Sequence, residues 1–393
     1  MPVSAPAGML PLQMHGLDYH TSIYHPDKAV AAMEEFNRKY GDELDTLASW
    51  EFVGVAAQAL DLLELRSYVY PGRGMDIVGV GFRFIEGEYM RADEYDALLK
   101  DPSDFWLRRY FPRVYEVFAP LAAVPPLTDF FEIGPMHLWP LARPELQQML
   151  TRLLEAGKAL ENYQEITAME KRVAAELGFP PSFRSQLAFA PFDVLADTLR
   201  GTRGIMMDMF RRPDKLHAAL DRIADLTIDS ILSSPATVDS VGVFFPLHKG
   251  ADGWMSEKQF LSFYWPSLRK VINALLDEGL LVGLFAEGSY NTRLELVNEF
   301  PKGSLVWEFD RTDMARAKRI LGDTCCLHGN VPSSLLVTGS PEEVREYCRR
   351  LIEICAPGGG YILAQGAIPE LPKLENLRAM AQAAREYGTY ERE

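Results

Sequence analysis

Apolar residues follow two different rhythms along this chain. From residue 184 onward, short apolar runs alternate with longer stretches at helical spacing. The runs are SQLAFA (185–190), SVGVFF (240–245), LVGLFA (281–286), SLVWEF (304–309), CCLH (325–328) and YILA (361–364). Helical patterns fill 193–233, 256–278, 292–299, 312–320, 340–355 and 373–387. Short strands alternating with helices predict parallel βαβ units. Six such units, with one or two strands upstream, predict an α/β fold, a (β/α)8 TIM barrel with an N-terminal extension and additional helices, rather than an open doubly wound sheet.

The first half is less regular. Residues 27–40 have helical spacing ended by Gly41, and Leu44 to Trp50 reads as a short strand running into Glu51, followed by an apolar helix to about Leu65. The alternation of 75–90 predicts a β-hairpin turning at Glu86-Gly87. Helices are expected near 92–99 and 103–117, and a strand over Thr128 to Gly134. The whole of 1–393 reads as one barrel domain, with 1–43 as an N-terminal arm and first helix and 144–177 as a helical insertion broken near Glu161.

Composition narrows the function. Of 393 residues, 48% are hydrophobic and 24% charged, an ordinary balance for a protein with a sizeable core. No run approaches the roughly 20 apolar residues of a membrane helix. Residues 1–16 lack a basic segment followed by an apolar one, so the expected location is the cytoplasm. A formal charge of −15 argues against nucleic acid or an anionic membrane surface as partner. The four cysteines, Cys325, Cys326, Cys348 and Cys355, include no C-x-x-C pair and read as buried reduced thiols. GxGxxG, GxxxxGK[ST] and Gly-x-Ser-x-Gly are all absent, which removes the nucleotide and serine-hydrolase readings.

In a parallel barrel the site is built where strands end. Three consecutive runs here end on side chains that can bind a metal: Glu287 after LVGLFA, Glu308 with Asp310, and His328 after CCL. Alternation places Phe285 with Glu287, Val306 with Glu308, and Cys326 with His328 on one face of each strand. If that face is the barrel interior, Glu287, Glu308 and His328 converge as a three-ligand catalytic zinc site with an open fourth position. The bland alternative is that Glu308 pairs with Arg311 or Arg316. His248, in FFPLHKGADGW (244–254), and Glu51, at the end of the first candidate strand, are further candidates for catalysis; each has a loop hydrogen bond or a surface charge as its alternative. His15, His20 and His25 have no ligand spacing, and the Met-rich GIMMDMF (204–210) reads as core.

The second half also resembles a known group. FDVLADTLRGTRGIMMDMFRRPDKLHAAL (192–220), LHGNVPSSLL (327–336) and GGYILAQGAIPELPKLENLRAMAQAAREYG (359–388) are similar to the uroporphyrinogen decarboxylase superfamily, over about residues 180–390. That group includes porphyrinogen decarboxylases and zinc methyltransferases that work with corrinoid proteins, and its fold is a (β/α)8 barrel. The departures matter. The decarboxylases open on an arginine-rich clamp for their substrate's carboxylates, whereas no arginine precedes Arg38 here. Their catalytic aspartate falls on Glu51 and their late histidine on Ala367. The methyltransferases' His-x-Cys-Gly falls on Phe285-Ala286-Glu287-Gly288, so only Glu287 keeps a ligand. A carboxylate-rich zinc site suits polarising an ether oxygen. The resemblance therefore implies a zinc-dependent demethylating methyltransferase, moving methyl from a small O-methyl or similar donor to a corrinoid carried by a partner protein. Its rivals are a metal-independent decarboxylase or lyase of the same superfamily, using Glu51 and His248 for proton transfer on a substrate other than uroporphyrinogen, and a non-catalytic tetrapyrrole or corrinoid binder.

Overall fold

A strand buried on both faces must be almost continuously apolar, and the runs of the second half meet that demand. A computed structural model of the chain describes residues 1–5, 7–48, 52–75, 81–129, 139–180, 186–234, 241–368 and 371–389. Its strands in chain order are β1 (Val3–Ser4), β2 (Tyr68–Pro71), β3 (Gly74–Met75), β4 (Arg83–Phe84), β5 (Gln186–Leu187), β6 (Gly242–Leu247), β7 (Leu281–Ala286), β8 (Leu305–Phe309), β9 (Cys326–Val331) and β10 (Tyr361–Gln365). Seven of them form one parallel sheet in the order β1-β10-β9-β8-β7-β6-β5. The architecture is α/β and barrel-like. Among the described residues the sheet has seven strands, with β1 and β5 at its two ends.

Each run predicted from 184 onward contributes a strand to this sheet. In β7, Val282, Leu284 and Ala286 are fully buried, while Phe285 between them is partly exposed. The helix Trp265–Asp277 packs against β7 from outside. β9 extends beyond CCLH to Val331, so His328 stands inside a strand rather than at its end. The extended arm at the N-terminus supplies β1, pairing Val3 with Leu363 and Ser4 with Ala364. One apolar cluster runs from Ala5 to Ala384.

Several local expectations give way to tertiary pairing. Residues 76–80 of the predicted hairpin lie outside the described residues, and among the described ones no strand runs from Gly87 to Met90. Arg83–Phe84 pairs instead with Tyr68–Val69, and the N–H groups of Tyr89 and Met90 donate to the Leu199 carbonyl. The predicted helix 292–299 is a series of turns, and the pattern over 193–233 is divided at Gly201 and at Arg212-Pro213. The 144–177 region forms two helices, Pro144–Ala159 and Glu161–Glu176, divided at Leu160. Leu44 ends the helix Pro26–Leu44 instead of opening a strand. Leu127–Asp129 is a 3-10 turn, and the rest of the strand expected there lies outside the described residues.

Candidate active site

His248 is the first residue after β6, and its position is fixed from below by a buried carboxylate. Asp193 accepts the backbone N–H of His248 (3.0 Å) and of Lys249 (3.0 Å), and the Tyr264 hydroxyl donates to it at 2.8 Å. One helical turn later, Asp197 presents its carboxylate to the side chains of the same two residues. His248 Nδ1 is 2.7 Å from Asp197 Oδ2, and Lys249 Nζ is 3.1 Å from Oδ1. Asp193 and Asp197 are four apart on the helical segment 191–200 that follows β5, so both face β6. On its other side, His248 Nε2 lies 3.7 Å from Glu287 Oε1. Phe189 meets the imidazole edge-on, with ring centroids 5.9 Å apart.

The charges of this group shift one another. Burial would lower the His248 imidazole, but the Asp197 hydrogen bond and the nearby charges of Asp193 and Glu287 push it up to about 8. Burial raises Asp197, yet His248 and Lys249 outweigh it and hold the carboxyl below its ordinary value. Burial pushes Asp193 up to about 6 against the pull of His248. Glu287 is raised by burial, with Asp310 and Asp197 adding to it and His248 opposing. The cationic imidazole is thus favoured, held by Asp197 at Nδ1 with Nε2 turned toward Glu287. That is the arrangement of a general acid positioned by its neighbour.

The remaining candidates lie elsewhere. Strand register aligns Pro246, Phe285, Glu308, His328 and Ile362 at one level across β6 to β10. Glu287 is two residues beyond Phe285, so it stands one level nearer the mouth, about 6.6 Å along the strand direction. His248, one residue beyond Leu247, shares that upper level. Glu308 and His328 are sealed beneath it, their side chains 3% exposed and His328 Nδ1 3.5 Å from Glu308 Oε2. The structure thus divides Glu287, Glu308 and His328: it joins the last two and gives the first to His248. Among the described residues no three His, Cys, Asp or Glu side chains stand together as metal donors. The trio therefore stands at two levels of the sheet. The cause is that two of its members are inside strands and one is past a strand end. Glu51 lies outside the described residues.

Gly288 adopts φ +78°, a left-handed turn that a side chain would strain. Its N–H donates to Asp310 Oδ2 at 3.1 Å, tying the β7 loop to the end of β8. Sequence reasoning passed over Asp193 and Asp197, although two aspartates four apart just after an apolar run were a readable signal.

Fold and site together define a barrel-like α/β protein with a cluster of His248, Lys249, Asp197 and Glu287 at the carboxyl ends of its strands. Residues 186–387 match the uroporphyrinogen decarboxylase (URO-D) family, and the chain belongs to it. It is 27% identical over 198 residues to uroporphyrinogen decarboxylase of Pseudoalteromonas translucida (strain TAC 125), covering 46% of this chain and 50% of that protein. It is 29% identical over 182 residues to the Helicobacter pylori (strain P12) enzyme, covering 44% and 50%. The chain thus matches about half the length of these relatives. Among solved structures it resembles a methyltransferase from Methanosarcina mazei, with a TM-score of 0.60 and 15% identity over 99% of this chain and 94% of that one. This second likeness is one of fold. No helix among the described residues is long and apolar enough to cross a membrane.

Proposed function

We propose that this chain is a cytoplasmic enzyme that decarboxylates or cleaves a small carboxylic acid other than uroporphyrinogen, by proton transfer through His248. The barrel is proposed to close as the eight-stranded form of its family. The observation that carries the reading is the placement of the His248 imidazole, 2.7 Å from Asp197 and 3.7 Å from Glu287. In a decarboxylation the bond from carbon to carboxyl breaks and CO2 leaves. The electron pair stays on a carbon conjugated to an acceptor within the substrate. His248 Nε2–H then protonates that carbon, and the neutral imidazole is reprotonated from solvent. Asp197 fixes the tautomer through Nδ1 and stabilises the cation. Glu51 is kept as a second proton-transfer group, on the resemblance that aligns it with the decarboxylases' aspartate. The missing arginine clamp and Ala367 argue against an octa-anionic porphyrinogen, whose charges would be left unpaired.

The test is release of CO2 from a panel of small conjugated acids in deuterated solvent. Deuterium should appear at the carbon that lost the carboxyl, and His248→Asn should abolish both signals. Turnover unaffected by that substitution would overturn the reading.

A second reading is a zinc methyltransferase, with Glu287, Glu308 and His328 as ligands, a small methylated donor and a corrinoid protein as partner. The fold likeness to the Methanosarcina methyltransferase supports it, and the division of the three donors between two levels opposes it. Metal analysis separates the two readings. About one zinc per chain, lost in His328→Ala, supports the second. Full turnover by zinc-free protein supports the first.

A further inference from the structure

A cavity of about 790 Å³ opens beside the mouth, between the loops that follow β8, β9 and β10. His248, Asp197 and Glu287 are not part of its lining; its inner wall is Asp310 with Ala367, and its outer wall is the helix Pro341–Cys355. Two arginines reach it from different elements, Arg311 from the β8 loop and Arg350 from that helix.

Both guanidinium groups are loosely partnered. Arg311 is 81% exposed, with Nε 3.4 Å from Asp310 Oδ2. That carboxylate already accepts the backbone N–H groups of Gly288 (3.1 Å) and Ala367 (3.2 Å). Arg350 Nε is 3.8 Å from Glu346 Oε1, while Glu346 is gripped by both ends of the Arg349 fork at 2.9 and 2.8 Å. The other carboxylate on the lining, Asp313, accepts the N–H of Arg316 and caps a helix. The acids of this cavity are therefore bound to backbone donors, and its two cations are left with weak pairs. A guanidinium fork is the side chain that best matches a planar or tetrahedral oxyanion.

Size and wall chemistry refine the ligand. The volume lies in the range of small-molecule pockets, roughly 300–1,000 Å³, and greatly exceeds what one phosphate or carboxylate fills. Met314, Leu351 and Ile354 supply apolar surface on the same lining. We infer that this cavity binds a small molecule with an apolar body and one oxyanion group, a phosphate or a carboxylate, held between Arg311 and Arg350. The site is separate from the proton-transfer group, so it stands or falls independently of the proposed reaction.

Calorimetric titration with phenyl phosphate, benzoate and phenol tests it on the intact chain. At least one of the two anions should bind saturably at one site with a Kd below about 1 mM, and phenol should bind at least about tenfold more weakly. Binding of phenyl phosphate alone identifies a phosphate ligand, and comparable binding of benzoate identifies a carboxylate. Arg311→Gln and Arg350→Gln should each weaken binding about tenfold or more, and the double variant should abolish it. Both positions are at the surface, so the melting curves of the free variants should match the parent. His248→Asn should bind as the parent does. The inference is overturned if neither anion binds saturably, if phenol binds equally well, if the double variant still binds, or if His248→Asn loses binding, which would move the anion to the mouth.

Discussion

The same two residue types, glutamate and histidine, occur at two levels of one sheet and behave differently. At the upper level, His248 and Glu287 have side chains 30% and 46% exposed and share their charges with Asp197 and Lys249. One level down, His328 and Glu308 are sealed at 3%. Two residues of strand separate a solvent-accessible group from a pair fixed in the interior. The upper group can change protonation during a reaction because water and neighbouring charges compensate it. The lower pair is removed from water, so its polar groups depend on partners within the protein. Residue type alone does not set the surroundings of these side chains; depth does.

The largest expected effect lies at the upper level. His248→Asn should lower turnover by about 10²- to 10⁴-fold, as removal of a general acid does. Comparable loss from Glu308→Gln in a protein of unchanged stability would place the chemistry at the lower level and reverse the comparison.

The lower level should dominate stability. Glu308→Ala removes a buried carboxyl beside His328 and should cost about 1–3 kcal/mol in urea unfolding. Glu287→Gln, half exposed at the mouth, should stay within about 0.5 kcal/mol.

The titration of His248 sharpens the contrast. Its folded value is raised to about 8, above the ordinary 6.5. The imidazolium contribution to stability is thus complete below pH 6.5 and is lost as pH rises through 8. A reaction that needs the imidazolium should run at a constant rate below that value and decline above it. Removing the Asp197 charge with Asp197→Asn should shift the break to lower pH, measurable by NMR titration and in the pH–rate profile. A break that does not move would separate His248 from Asp197.

A more modest effect should come from the support beneath the site. Tyr264→Phe removes one donor from the buried Asp193 and should cost about 1 kcal/mol. It should also raise the Asp193 carboxyl further above its present value of about 6, because burial is then less opposed.

The sequence by itself determined the strands of the second half, most of the helices between them and the polar residues at their carboxyl ends. A strand buried on both faces must be a short apolar run, and the first polar residues after it must stand at the mouth. His248 and Glu287 were legible for that reason. The first half was less so, since its small sheet and its turns are fixed by partners distant in sequence: Arg83–Phe84 pairs with Tyr68–Val69, and Tyr89 and Met90 donate to Leu199. Only the tertiary structure decided which carboxylates meet which histidines. Distance from the end of an apolar run can be counted along the chain, but level in a sheet is set by hydrogen bonds to the neighbouring strand. Pairing Phe285 with Glu308 and Glu308 with His328 sank two predicted ligands below the third. The same folding brought Asp197, 51 residues away in sequence, to 2.7 Å from His248.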